Sequence, residues 1–203
     1  MALSRGLRIG LFVAAGFLVG ALSALALFPQ AWQKVFASAS TGKALIGGPF
    51  TLTDQNGKRV TDKDFRGRFM LVYFGFTFCP DVCPSALQVM AAALHKLGPK
   101  AEKIVPIFIT IDPERDTPEK MAQYVQSFDP RLVGLTGTPE EIAAVTREYR
   151  VYAKKVEDPK STAGYTMDHS SIIYVMGPDG AYRTHFTHTT NVDAMAARLG
   201  EML

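Results

Sequence analysis

The first feature along the chain is an uncharged apolar run from Ile9 to Phe28, 20 residues long, with Arg5 and Arg8 before it and Pro29 after it. At about 1.5 Å per residue it reaches roughly 30 Å, the thickness of a bilayer's hydrocarbon core. It has no polar face, which argues against a helix packed in a soluble core. Ala24-Leu25-Ala26 fits the processing site of a cleaved signal peptide, but the full spanning length favours a retained anchor. No Arg-rich, Ser-rich leader precedes the run, which disfavours an organelle-import precursor. Basic charge on the short leading flank puts the N-terminus on the cytoplasmic side and everything after the anchor outside. The expected organisation is a cytoplasmic N-terminus at 1–8, a transmembrane anchor at 9–28, a linker at 29–45 and an exported domain at 46–203.

Within that domain the pattern shortens and alternates. Phe50 to Thr53 and Lys58 to Val60 flank Asp54-Gln55-Asn56-Gly57, and Asn-Gly between alternating runs predicts a hairpin. Phe69 to Phe76 and Ile104 to Ile111 are continuous apolar runs, as strands buried on both faces require. Leu87, Met90, Ala91, Leu94 and Leu97 recur at helical spacing, and Gly98-Pro99 stops that helix. Thr117-Pro118-Glu119 and Thr138-Pro139-Glu140 each place a capping Thr before Pro and an acid, so helices should run from there to about Phe128 and Tyr149. A short strand is expected near Leu132-Val133 and another over Val151 to Val156. Ser171 to Met176 and Ala181 to Phe186, joined by Gly177-Pro178-Asp179-Gly180, predict a hairpin, and Asn191 to Met202 a closing helix. This order predicts an α/β sheet with helices on both faces and antiparallel pieces at its edges.

Charge sharpens the division. The formal net charge of +3 comes from 22 basic and 19 acidic residues, yet Arg5, Arg8, Lys34 and Lys43 all precede the first acid, Asp54. The domain itself is almost neutral. A nucleic-acid-binding role, which needs a basic face on the folded part, is excluded on that ground. Two cysteines also exclude a disulfide-rich scaffold and a four-cysteine zinc module.

Those cysteines, Cys79 and Cys83, lie between the first buried strand and the helix after it. A thiol at a helix N-terminus has its thiolate favoured by the dipole and by free N–H groups. If both sit on the first helical turn, their i, i+4 spacing puts the sulfurs on one face, fit either to chelate a soft metal or to close a disulfide. The bland alternative is a pair of small buried hydrophobes. His169, leading the strand from Ser171, would complete a set of two thiolates and one imidazole, a donor set suited to copper, with the sulfurs favouring Cu(I). Asp168 is the candidate to orient its ring or loop. Zinc would want a fourth ligand. His95, His185 and His188 are poorer candidates by position, and Met167 and Tyr165 are candidate lining residues. The charged stretch Asp112 to Asp116 reads as a solvated loop held by Arg115 pairs, or as a docking surface near the sulfurs. No side chain is assigned a catalytic role.

The runs Phe74 to Pro84, Ile111 to Pro118, Gly134 to Gly137 and Asp168-His169-Ser170 together resemble the Sco/SenC family, in order, over about residues 46–190. The resemblance implies a thioredoxin-like, membrane-tethered protein that binds one copper, as Cu(I) or Cu(II), through Cys79, Cys83 and His169. It implies a redox-active Cys79–Cys83 pair and a role in assembling the dinuclear copper site of cytochrome c oxidase. That role is exercised by delivering copper as a metallochaperone, by reducing the client's cysteines, or both. Its partners would be the oxidase subunit carrying that site and an upstream copper donor, with the domain in the periplasm on a single-pass tether in a bacterial inner membrane. Phe78 departs from the family, where a polar residue often precedes the first cysteine. The C-x-x-x-C spacing also differs from the C-x-x-C of thioredoxin-type oxidoreductases, which suggests a site adapted to hold metal.

Overall fold

In a computed structural model of the chain, residues 45–159 and 163–203 are described, with five earlier helical positions, Gly6, Ala15, Gly16, Gly20 and Ser23. The rest of the expected anchor at 9–28, and the linker up to Ala44, lie outside the described residues. Among the described residues no helix is long and apolar enough to cross a membrane. The chain divides into two units, Met1–Ala44 and Leu45–Leu203.

The second unit opens with the hairpin of β1 (Thr51–Asp54) and β2 (Arg59–Thr61). Asp54 holds its turn by accepting from the Asn56 and Lys58 amides at 2.9 Å each, and Gly57 takes the left-handed φ of 81° that closes it. The apolar runs become β3 (Phe69–Gly75) and β4 (Ile104–Thr110), joined through α1 (Val82–Leu97) and paired in parallel. From β4 the chain passes through α2 (Pro118–Val125) to β5 (Val133–Thr136) and then α3 (Pro139–Glu148). Thr117 and Thr138 cap those helices by accepting from the Lys120 and Glu141 amides, with Pro at the first position of each. The helix expected to reach Phe128 ends at Val125, because the Ser127 and Phe128 amides tighten to carbonyls three residues back.

β8 (Ile172–Met176), β9 (Tyr182–Thr187) and α4 (Val192–Gly200) complete a sheet of order β2-β1-β5-β4-β3-β8-β9. Its centre, β5-β4-β3, is parallel and its flanks are antiparallel. Ring contacts show which element covers each face. On one, Tyr73 of β3 meets Phe108 of β4, which meets Tyr124 of α2. On the other, Phe74 of β3 and Tyr174 of β8 pack on Tyr149 at the end of α3. Both faces of β3 are therefore dry, as its unbroken apolar sequence requires.

One expectation changes. The strand read over Val151 to Val156 is present as β6 (Ala153–Glu157), but outside the central sheet. It pairs antiparallel with β7 (Tyr165–His169), a strand the sequence reading left without an element. Neither segment carries a long apolar run, because the ribbon pairs with itself and leaves most of its side chains exposed or half-exposed.

Candidate metal centre

β3 ends at Gly75, and the next six residues turn over the sheet edge before α1 begins. Gly75 must be small. A Cβ there would stand 2.7 Å from the Cys83 sulfur and 2.9 Å from the Phe108 ring. Cys79 sits within the turn, its amide bonded to the Phe76 carbonyl, and so precedes the helix instead of sharing its first turn. Cys83 is the helix's second residue and fully buried. Asp81, at the cap position, makes no side-chain cap; the Cys83 amide instead donates to the Cys79 sulfur at 3.4 Å. A sulfur thus occupies the place of a capping oxygen, where the helix dipole favours negative charge.

His169 arrives on β7, and alternation along that strand puts it on one face with Met167 and Tyr165. The edges of Tyr73 and Phe76 hold its ring at 6.2 and 6.0 Å between centroids, both in T-shaped contact. Nδ1 lies 3.1 Å from the Ser170 carbonyl, which can only accept, so Nδ1 carries the proton. Nε2 is therefore the ring nitrogen turned toward the sulfurs, 3.5 Å from that of Cys83. The three donor atoms lie within 4.8 Å of one another, and among the described residues no second cluster of His, Cys, Asp and Glu reaches three. Three donors around one ion at bonds of about 2.3 Å would stand roughly 4 Å apart, so the set fits a single soft metal with small adjustment.

The two thiols are unlike. Hydrogen bonding from Cys83 pulls Cys79 down to about 4 against the opposing effect of partial burial, with help from His169 and from the Cys83 and Asp81 amides. Cys83 is driven upward by that same bond to Cys79, by burial and by the neighbouring negative charge. The pair holds one thiolate and one thiol. Tyr73, itself pushed up mainly by burial, donates its hydroxyl to the Cys83 sulfur at 3.8 Å.

The stretch Asp112 to Asp116 is a brace for the cysteine turn, with its two aspartates indoors and Glu114 outside. Asp116 is fully buried and accepts from the Thr77 amide, the Thr77 hydroxyl and the Thr110 hydroxyl, tying the turn to the end of β4. Asp112 is buried too, paired with Arg115 and accepting from the Tyr165 hydroxyl at 2.8 Å. The Arg115 pairing expected from sequence is present; the solvated setting is not. Phe78 is exposed, but cations sit over its ring, Arg115 at 4.6 Å and Lys120 at 5.5 Å from the centroid.

Residues 38–203 match the SCO1/SenC family. The chain belongs to that family. It is 47% identical over 163 residues to the mitochondrial SCO1 homolog of Homo sapiens, an alignment covering 78% of this chain and 53% of that protein. The chain spans about half the length of the curated relatives it matches. Among solved structures, Bradyrhizobium japonicum ScoI with copper bound is 51% identical at a TM-score of 0.72, covering 78% of this chain and 99% of that one. Arabidopsis thaliana ScoI with copper bound is 43% identical at a TM-score of 0.73, covering 77% and 96%. The fold of this SCO1/SenC domain is the thioredoxin-like one that the motifs implied.

Other candidates from sequence fall elsewhere in the SCO1/SenC domain. Asp168 is exposed and lies opposite Lys154 in the ribbon, and the His169 ring is oriented by the Ser170 carbonyl. Met167 lines a neighbouring cavity with Ile111, Pro113 and Ile142. His95, His185 and His188 are exposed, and His185 bonds to Tyr182. Sequence reasoning missed Gly75, Tyr73 and Phe76, which read as ordinary members of an apolar strand. Their one signal was adjacency to the cysteine motif.

Proposed function

We propose that this SCO1/SenC member is a copper metallochaperone that helps assemble the dinuclear copper site of cytochrome c oxidase. One copper ion per chain is held as cargo by Cys79, Cys83 and His169, as Cu(I) in the reduced site and also as Cu(II). The observation that carries the reading is the convergence of two sulfurs with an imidazole nitrogen turned toward them. A site of three donors, two of them on half-exposed residues, suits a carrier. A client's thiolates can enter beside Cys79, take the ion stepwise and leave Cys83 until last. An upstream donor loads the site by the reverse exchange. The apolar run at 9–28 with its basic flank supports a single-pass tether in a bacterial inner membrane, with this domain in the periplasm.

The split between the thiols favours a second reading, thiol-disulfide reduction of the client's cysteines. The Cys79 thiolate attacks a client disulfide and releases one client thiolate. The Cys83 thiol then gives up its proton and displaces the other, leaving a Cys79–Cys83 disulfide and two client thiols. Transfer assays from copper-loaded chain to an apo oxidase copper domain separate the readings when dithiol and disulfide forms are run in parallel. Copper passing to a pre-reduced client supports the chaperone; electrons passing without copper overturns it.

A further inference from the structure

The two cysteines and the histidine come from different elements, joined otherwise by the short passage from β7 through Ser170 and Ser171 into β8, the sheet neighbour of β3. The sulfurs belong to a turn at the edge of the central sheet, and His169 to a ribbon that shares no ladder with that sheet. Something must hold the two at bonding distance. The Arg115 side chain stands between them, with only 13% of its surface exposed. Its guanidinium carbon lies 3.7 Å from the Tyr165 ring centroid on the ribbon, and 4.6 and 5.9 Å from those of Phe78 and Phe76 on the cysteine turn. Nη1 donates to the Tyr165 carbonyl at 3.0 Å, and Nε donates to Asp112, which also receives the Tyr165 hydroxyl. Phe78 immediately precedes Cys79, and Tyr165 shares a strand and a face with His169.

We propose that Arg115 is the positioning residue of the metal site, a clamp that joins the cysteine turn to the histidine strand; the proposal rests on the copper-carrying reading above. The chemistry requires this residue type. A planar cation can lay its faces against aromatic rings while its edge makes directed hydrogen bonds, which an ammonium cannot do. Asp112 fixes the plane of the guanidinium from the side of β4, so the clamp is referenced to the central sheet. Two other ties reach the ribbon from this region: the Tyr165 hydroxyl on Asp112, the acid that Arg115 itself holds, and Lys155 with Glu114, exposed on both sides and weaker for it. Without Arg115 the sulfurs keep their own scaffold, through Asp116 and Gly75, and the imidazole loses its register against them.

The test uses the full chain with Arg115→Ala, Arg115→Lys, His169→Ala and the Arg115→Ala/His169→Ala double variant. Each is titrated with Cu(I) against a chromophoric chelator, and each Cu(II) form is examined by electron paramagnetic resonance for nitrogen hyperfine splitting. Arg115→Ala should weaken copper by about 10- to 100-fold, the range for removing a residue that orients a ligand. It should lose the nitrogen splitting, and the double variant should be no weaker than His169→Ala alone, since the lost contact is the same one. Arg115→Lys should recover little. Wild-type affinity and intact splitting in Arg115→Ala overturn the proposal, as does full additivity in the double variant. If Arg115→Ala does not fold, Phe78→Leu, which trims an exposed ring, should still loosen the clamp and lower affinity; unchanged affinity there overturns it. In metal-free protein, nuclear Overhauser contacts between the His169 ring and the Tyr73 and Phe76 rings report the same placement. Loss of these contacts in Arg115→Ala supports the clamp, and where the wild type binds no copper it discards only the copper reading; contacts that persist in Arg115→Ala overturn the clamp.

Discussion

The backbone amide of Cys83 donates to the sulfur of Cys79 at 3.4 Å, so the first residue of the metal motif caps the helix that carries the second. One contact thereby makes the two cysteines chemically unequal. The outer sulfur collects the helix dipole and the donors; the inner one keeps its proton.

Alkylation rates should expose that inequality. In the reduced metal-free protein, iodoacetamide labelling of Cys79 should follow a thiolate titration centred at about 4, and Cys83 should stay unlabelled through neutral pH. Mass spectrometry of peptides after timed labelling measures both. Equal labelling of the two, or a Cys79 midpoint near the ordinary thiol value, would refute the assignment.

The same shifts act on stability. Cys79 is lowered from 9.0 to about 4, so its contribution is fully present above the unfolded value and is lost as pH falls through 4. Cys83 is raised from 9.0, so its contribution is present below that value and is lost as pH rises beyond it. Urea unfolding of reduced apo protein should therefore show stability growing from pH 4 towards 9 and then declining. Because the bond between the two sulfurs is the largest cause of both shifts, Cys79→Ala should remove the rising limb and weaken the falling one, and Cys83→Ala the reverse.

Gly75 predicts a packing failure aimed at one ligand. Its backbone φ is ordinary, so Gly75→Ala costs nothing in conformation and acts through the 2.7 Å approach of the new carbon to the Cys83 sulfur and 2.9 Å to Phe108. Overpacking of this kind costs about 1–3 kcal/mol, visible as a lower melting temperature. Copper affinity should fall as well, because the displaced atom is a donor. A variant that melts early but binds copper normally would show that the sulfur can move without consequence.

How much of this was legible beforehand depended on whether the physics was local. β3 and β4 could be read because burial on both faces demands unbroken apolar runs, and α2 and α3 because Thr-Pro-Glu is a complete capping instruction. Cys79, Cys83 and His169 were legible by residue type and motif. β7 was not, since neither it nor its exposed, polar partner β6 carries the apolar run that marks a buried strand. Nor was the brace around Asp116. A carboxylate with three donors from Thr77 and Thr110 looks in sequence like one more acid in a charged loop.

That brace can be tested directly. Asp116→Ala would leave the Thr77 amide, its hydroxyl and the Thr110 hydroxyl without their shared acceptor in a dry setting. Each stranded donor costs about 1–3 kcal/mol, though solvent entry and rotation of the hydroxyls will recover part of it. Chemical denaturation should show a loss of at least one such increment. Hydrogen exchange should quicken at Thr77 and Cys79 before it does in β4. Uniform loosening of the domain would instead make Asp116 a general core residue.

His169→Ala separates the two proposed activities because the ring serves one far more than the other. It supplies the only nitrogen of the donor set, and its edge contacts with Tyr73 and Phe76 fill space without crossing the cysteine pair. Removing it should lower Cu(I) affinity and abolish transfer to an apo oxidase copper domain. Disulfide reduction needs the Cys79 thiolate and the Cys83 thiol, and the largest cause of the Cys79 shift is the bond from Cys83, with His169 a smaller contributor. Reduction of a client disulfide by His169→Ala, followed by thiol release, should therefore persist at close to the wild-type rate at neutral pH, where a thiol that titrates at about 4 remains a thiolate after losing one of its smaller supports. Cys83→Ser should stop it at a trapped mixed disulfide. Transfer that survives the loss of the imidazole would mean that the two sulfurs alone carry the copper, and the ribbon would then need another reason to bring His169 within 3.5 Å of the Cys83 sulfur.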